Sequence, residues 1–316
     1  MRKYIATRTL SLLPTLLGVT ILVFLMLQLV PGTVVDQLFG SDTYVPADAR
    51  TAARALFGLD KPLPVQYLDW LRGAVHGDLG ASWRSGVPVR HLIATRLGVT
   101  VELAAIALAV ALLIGIPFGI LSAVRENSPL DHVIRVASLF SLSLPIFWQA
   151  AMIILALSLW FHWVPSVEYL PFTRDPVGNI EQFAIPAIVL GTVVSAQVMR
   201  ITRASLLDVL RHDYVRTARA KGLTNRAVIV HHAFRNALIP IITIVGAQVG
   251  YLLGGAVVTE QVFSLPGIGR LVLDAVYQRD YPVVQGAVLV IAVIFMVTNL
   301  VVDMLYGYLD PRIRYR

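Results

Sequence analysis

Six stretches of the chain run without a charged side chain: Thr9–Val35, Leu103–Val124, Val136–Val167, Gln182–Met199, Asn236–Thr259 and Tyr281–Val302. A hydrocarbon core about 30 Å thick takes about 20 helical residues, so each run is long enough for a transmembrane helix. The first run follows Arg2, Lys3 and Arg8, as in a secretory signal. Its apolar part is longer than such signals use and no small-residue cleavage pattern follows, so it reads as a retained span. Pro14, Pro117, Pro145, Pro240 and the pair Gly254–Gly255 interrupt the runs. Such breaks are tolerated where neighbouring helices or water satisfy the freed carbonyls. They suit helices that bend around a pathway, and they are also common in ordinary membrane bundles.

Between the first two runs lies a longer segment, residues 31–98, with a different pattern. Ala53, Leu56 and Phe57, then Tyr67, Leu68, Trp70 and Leu71, recur at helical spacing, with Pro62 and Pro64 between them. The pattern predicts a small helical subdomain outside the membrane. It serves either as a lid over helix ends or as a dock for an extracytoplasmic partner. The fold class that follows is an all-α polytopic membrane protein. It has about six transmembrane helices and a small helical extracytoplasmic subdomain between helices 1 and 2. No long linker or clear internal repeat appears, and residues 1–316 read as one membrane domain.

Composition agrees: 57% of the 316 residues are hydrophobic and 14% charged, against about 25% charged in soluble domains. The net charge of +7 is placed by the loops. Residues 200–235 hold eight Arg or Lys against two Asp, and the tail "DPRIRYR" holds three Arg. The loops at 168–181 and 260–280 hold three acidic residues each, against one and two basic ones. Basic loops alternate with acidic ones, so both termini are expected in the cytoplasm. With no cysteine, disulfides, thiolate zinc sites and a cysteine nucleophile are excluded.

Catalytic signatures are absent. There is no G-x-x-x-x-G-K-[ST], no H-E-x-x-H and no G-x-S-x-G. His231 and His232 are adjacent, so on a helix they point about 100° apart and cannot share one metal. Glu102, Glu260 and Asp303 fall at or near span ends, where solvation is cheap, and none makes a buried proton relay. Gln149, Gln197, Gln248 and Asn299 fall deeper. Each is a candidate to line a polar path, or to bond to a neighbouring helix.

The basic segment "DYVRTARAKGLTNRAVIVHHAFRNALIP", Asp213–Pro240, stands out within so apolar a chain. Asp213 suits an N-cap and Gly222 a C′ residue for a short helix Tyr214–Lys221. Tyr214, Thr217, Ala218 and Lys221 share one face, small in its middle. Thr224 suits a second N-cap, for a helix running on through Val228, Ile229 and Phe234. A solvated positive loop explains the charge but not the small face or the hinge. A helix-turn-helix reader of DNA would have to be clamped between two spans, so no nucleic acid is expected. A dock for a soluble cytoplasmic partner explains all three features.

"RTARAKG", nine further residues and then "HAFRNALIP" resemble the signature loop of binding-protein-dependent ABC importer permeases. That pattern is roughly E-A-A, three residues, G, nine residues, I-x-L-P. Ala218 and Gly222 match it. Arg216 and Thr217 stand at the Glu and first Ala positions, and His232, Phe234 and Arg235 at those of Ile, Leu and Pro. The dipeptide/oligopeptide branch, which includes glutathione permeases, is closer. There "DY-R-ARAKG" and "RNA-IP" are habitual, and "LVPG", "LFGLDKPL", "GDLGASW", "RITRAS", "VFSLPGIGRL", "RDYPVVQ" and "LVVDMLYGYLDPRIRY" extend the likeness over nearly the whole chain.

The resemblance implies a permease subunit of the bacterial cytoplasmic (inner) membrane that takes up short peptides or a similar small solute. Related permeases of the branch carry glutathione, nickel or haem. It implies a second permease subunit, usually a paralogue, two ATPase subunits and an extracytoplasmic solute-binding protein, with membrane lipid around the spans. It implies no cofactor in this chain, ATP and Mg belonging to the ATPase subunits. By the same likeness the 200–236 loop is the coupling loop, and Tyr214, Thr217, Ala218, Lys221, Gly222 and Leu223 would contact the ATPase. Phe263, Pro266 and Gly267 would lie near the outer gate. A stand-alone secondary transporter is the rival reading. It requires a buried acid or Lys at mid-membrane.

Overall fold

The computed structural model describes residues 2–29, 32, 34–39, 46–166 and 168–309. Parts of the outer insert (residues 31, 33 and 40–45) and the "DPRIRYR" tail lie outside the described residues. Among those described, regular structure is helical, apart from an isolated bridge between Ala81 and Pro88. Five helical segments are long and apolar enough to cross a membrane: Leu10–Asp36, Val89–Val124, Pro176–Leu210, Asn225–Val262 and Tyr281–Met304. A sixth crossing is made if the pair Pro129–Ser143 and Ile146–Phe161 counts as one span, bent by 101°.

The bend falls at Pro145, which the sequence marks as an interruption of the Val136–Val167 run. Leu144 precedes Pro145 and is extended, with ψ 130°, because the proline ring excludes the helical region from the residue before it. The freed carbonyls are not left bare. Gln149 Nε2 donates to Ser141 O at 3.1 Å and to Leu144 O at 3.0 Å. Pro117 and Pro240, by contrast, sit inside unbroken helices.

The chain forms two compact units. One is built from residues 100–265 together with the chain from 298 onward, the other from residues 2–99 and 266–297. Helices are named here in chain order. They are α1 (Arg2–Leu29), α2 (Val34–Phe39), α3 (Ala47–Leu56), α4 (Leu63–Val75), α5 (Val89–Val124), α6 (Pro129–Ser143), α7 (Ile146–Phe161), α8 (Pro176–Leu210), α9 (Asp213–Ala220), α10 (Asn225–Ala227), α11 (Arg235–Val262), α12 (Ile268–Tyr277) and α13 (Tyr281–Leu309). Val228–Phe234 form a wider π-helical turn between α10 and α11.

In the first unit α8 is the centre. Of its most apolar stretch 61% is buried, against 17–35% for α1, α5 and the α10–α11 segment. It starts on an Asp175 N-cap that accepts from Gly178 N, with Pro176 in the first turn. Helix α5 meets it through glycines. A Cβ added at Gly191 would stand 2.6 Å from Ala107 O, and one at Gly119 would stand 2.8 Å from Met199 O. Such close backbone approach is how helices associate where lipid removes the hydrophobic drive. Leu113, Phe140 and Trp160 remain 65–76% exposed, as expected of side chains facing hydrocarbon.

The second unit has the predicted small helices α3 and α4, started at Pro46 and Pro62. Its core gathers Val89, Ile93, Ile268, Tyr281 and Val284. The segment "PGIGRL" forms part of α12, a short helix that the apolar runs did not reveal.

Candidate functional site

The basic segment folds as a short helix on a packed base. Helix α9 begins one residue earlier than its sequence suggests: His212 is the N-cap residue and Asp213 lies in the first turn. The helix ends as predicted. Gly222 has φ +80°, its N–H donates to Arg219 O at 2.9 Å, and Leu223 N–H reaches Ala218 O at 3.4 Å. This is a Schellman closure, which requires the left-handed residue that glycine supplies at least cost. Thr224 then caps the next turn by accepting from Ala227 N.

One residue of the proposed docking face points the other way. Ala218 is only 7% exposed, and with Val215 it packs into a core of Ala123, Leu206, Val209, Val228, Ala237 and Ile241. Helical spacing put Ala218 beside Thr217, but the protein's own interior claims it. Tyr214, Thr217, Lys221, Gly222 and Leu223 are exposed, as are Arg216 and Arg219. Asn236 Nδ2 donates to Tyr214 Oη at 2.9 Å, holding α9 against the start of α11.

The same unit holds a polar cluster that sequence reading missed. Asp131, fully buried, accepts from Ser122 Oγ at 2.5 Å and Asn127 N at 3.0 Å. Arg203 completes the set through Nε at 2.9 Å and Nη2 at 2.8 Å. The fork is bidentate, the strongest and most directional arrangement of this pair. It joins the end of α5, the turn after it, α6 and α8, and α8 leads through Arg211 and His212 into α9.

The candidate pathway residues separate. Gln248 Nε2 hydrogen-bonds Gln197 Oε1, joining α11 to α8. Gln149 caps α6, as described above. Asn299 is half-buried on α13. Glu260 departs from the expectation of a solvated span end. It is fully buried, and Thr100 Oγ1 donates to it at 2.6 Å. Glu102 accepts from Tyr169 Oη at 3.1 Å. Burial, then the Glu102 carboxylate beside it, push the Tyr169 phenol upward. Of the suggested gate residues, Phe263 is buried as the C-cap of α11. Pro266 is half-buried, and Gly267 is the N-cap residue of α12.

In the second unit, Asp280 (3% exposed) accepts from Ser82 Oγ at 2.5 Å and Trp83 N at 3.0 Å. Trp83 also meets Phe57 and Tyr281 at ring distances of 5.2 and 5.3 Å. Lys61 and Asp69 pair at 2.7 Å beside these rings, and Lys61 holds the Asp69 carboxyl below its usual range. Among the described residues no group of three His, Cys, Asp or Glu could hold a metal.

A geometry of packed membrane helices carrying one exposed, glycine-closed loop helix agrees with the comparisons. Residues 115–315 match the family described as the binding-protein-dependent transport system inner membrane component, and residues 1–104 match its N-terminal counterpart. The chain is 40% identical to the dipeptide transport system permease protein DppB of Escherichia coli K12, with 100% of both chains covered. It is 42% identical to the oligopeptide transport system permease protein AppB of Bacillus subtilis 168, again over 100% of both. Among solved structures, the inward-facing MetNI methionine ABC transporter aligns at TM-score 0.57 and 17% identity, covering 70% of this chain and 97% of that one. An amino acid ABC transporter with histidines aligns at TM-score 0.52 and 19% identity, over 71% and 94%. The structures share the fold, the relatives match from end to end, and the chain belongs to the inner-membrane permease family of binding-protein-dependent ABC importers.

Proposed function

We propose that this permease takes up short peptides and that α9 is its coupling helix, docking on a cytoplasmic ATPase subunit. Support for the substrate class comes from the names of its full-length relatives. Support for the docking role comes from one arrangement. The Val215–Ala218 face is anchored in the permease's own core, while Tyr214, Thr217, Lys221, Gly222 and Leu223 face outward. A helix rooted in this way passes a push on its outer face to α8 and α11 rather than yielding alone. The chain lacks a phosphate-binding loop, so the ATP and Mg sites are assigned to two ATPase partners. A second permease subunit completes the pathway, and a solute-binding protein delivers the peptide to the outer face. The alternation of basic and acidic loops supports a cytoplasmic location for both termini and α9.

The test uses the outward residues. Thr217→Trp combined with Leu223→Glu should leave membrane insertion unchanged. It should lower ATPase co-purification and peptide uptake by about tenfold or more, as loss of a docking anchor does. Full ATPase association in that variant overturns the coupling assignment. Because the chain has no cysteine, single replacements at Arg226 and Arg72 report orientation directly. An impermeant maleimide should label Arg72→Cys from outside and leave Arg226→Cys unlabelled until the cells are opened.

A further inference from the structure

Three arginines from two helices converge on one cavity. Arg135 of α6, and Arg200 and Arg203 of α8, line a space of about 430 Å³ in the first unit, with Gln197, Ile201 and Ile244 completing much of its wall. Their charges are not equally committed. Arg203 gives Nε and Nη2 to Asp131, so that pair is neutral, with the Nη1 hydrogens and the second Nη2 hydrogen left to donate. The Arg135 and Arg200 guanidiniums, both on exposed residues, pair with no carboxylate among the described residues. The cavity therefore carries two uncompensated positive charges beside one neutral pair.

Position along the chain fixes the depth. Arg135 immediately precedes the uncharged run Val136–Val167, Arg200 directly follows Gln182–Met199, and Arg203 lies about one helical turn further on. All three sit where the hydrocarbon-compatible parts of their helices stop, which is the level of lipid headgroups. Like charges brought to one cavity repel, and an anion between them relieves that repulsion. The walls are mixed: guanidinium and amide groups with Ile201 and Ile244 beside them. A ligand with a phosphate head and an apolar continuation fits this division better than a small hydrated anion does. Basic pockets between membrane helices at headgroup depth have this recognition chemistry, and guanidinium forks suit phosphate oxygens.

We infer that Arg135 and Arg200, with Arg203, form a binding site for the phosphate of an anionic phospholipid. The ordinary alternative is that these arginines are orientation signals like any others. Such arginines would act equally wherever they lay on the basic side. The convergence of three on one walled cavity separates the two readings, and the site does not depend on the coupling role of α9.

The full-length permease, in its assembled transporter, is reconstituted into phosphatidylcholine vesicles with or without phosphatidylglycerol. Its unfolding temperature and co-purified lipid are then measured. Phosphatidylglycerol should raise the unfolding temperature of the wild type, since a ligand that binds the folded state stabilises it. It should also be enriched in the lipid carried through purification. Arg135→Gln with Arg200→Gln should abolish the temperature increment and cut the enrichment about thirtyfold, the scale expected for two basic groups. The same variant should match the wild type in pure phosphatidylcholine, which shows that it folds. The control, Arg125→Gln with Arg226→Gln, removes two arginines as exposed as Arg135 and Arg200 but outside the cavity and should keep the increment. An unchanged increment in the first variant, or an equal loss in the control, overturns the proposal. If inorganic phosphate or glycerol phosphate alone reproduces the increment in phosphatidylcholine, the assignment to lipid is overturned.

Discussion

Asp131 and Asp280 each accept a 2.5 Å hydrogen bond from a serine hydroxyl and a 3.0 Å bond from a backbone N–H. Beyond that they differ. Asp131 also holds a bidentate arginine, whereas no described cation pairs with Asp280. The first is a buried ion pair joining α6 to α8, and the second is a carboxylate stabilised by neutral donors from the Ser82 turn. A buried charge with a charged partner resists loss of either member, because the survivor is stranded. A carboxylate held by neutral donors tolerates an isostere that still accepts. The difference suits their places. The arginine pair braces α8, the helix that leads into the loop that the proposed function loads mechanically. The neutral one fastens the Ser82 turn of the second unit to the residue that precedes α13.

The largest effect should come from Asp131→Asn. The amide turns N–H donors toward Arg203, which can only donate, and the guanidinium loses its counter-charge. We expect a loss of about 3 kcal/mol, the lower end for broken buried pairs, since Arg203 keeps 21% exposure. Thermal unfolding in detergent measures it. Replacing the pair together, as Asp131→Leu with Arg203→Met, should recover at least half of that loss, since apolar substitution of a whole pair is often near neutral. Asp280→Asn should cost only about 1 kcal/mol, because the amide oxygen still accepts one of the two bonds. Equal costs for Asp131→Asn and Asp280→Asn would break the comparison.

Helix contacts sharpen the same contrast. A Cβ at Gly119 would meet Met199 O at 2.8 Å and Thr202 Cβ at 2.7 Å, whereas one at Gly286 would meet Val89 Cγ1 at 2.7 Å and then nothing closer than 3.4 Å. Backbone cannot step aside as a valine methyl can. Gly119→Ala should therefore cost about 2 kcal/mol, as overpacking does. Gly286→Ala should lie within about 1 kcal/mol of neutral, helped by alanine's better helix propensity. If the two are equal, α5 and α8 are less tightly packed than their glycines indicate.

The helices were legible because uncharged runs and proline punctuation are local signals. Four of the six runs became single continuous crossings, and Thr9–Val35 passed from α1 into α2. Val136–Val167 broke. Nothing in a hydropathy window separates Pro145, which breaks a helix, from Pro117 and Pro240, which do not. The separating fact is Gln149, four residues on, whose side chain takes over the freed carbonyls. The glycine end of α9 was legible for the same local reason, since a Schellman closure is written in neighbouring residues. The burial of Ala218 in the protein's own core was not legible, because a helix face states which residues lie together, not whether solvent or core lies opposite. Asp131 with Arg203 and Ser82 with Asp280 are 72 and 198 residues apart, and no periodicity announces a pairing at such range.

The smallest effects should come from the exposed ion pairs, and they test whether charge or burial governs the comparison. Arg211 and Glu126 meet at 3.3 Å with side chains 74% and 39% exposed. Water and salt screen such a pair, so Arg211→Ala should change stability by no more than about 0.5 kcal/mol. Lys61 and Asp69 meet more closely, at 2.7 Å, and are 51% and 44% exposed. Lys61→Met removes the charge and keeps the stem beside Trp70, so its unfolding temperature should match the wild type at low and high salt alike. Lys61→Ala removes the stem as well. A loss seen only with alanine assigns the contribution of Lys61 to packing in the aromatic cavity. A loss with methionine that fades in salt assigns it to charge, and the second unit would then rely on electrostatics more than its neutral Asp280 cluster implies.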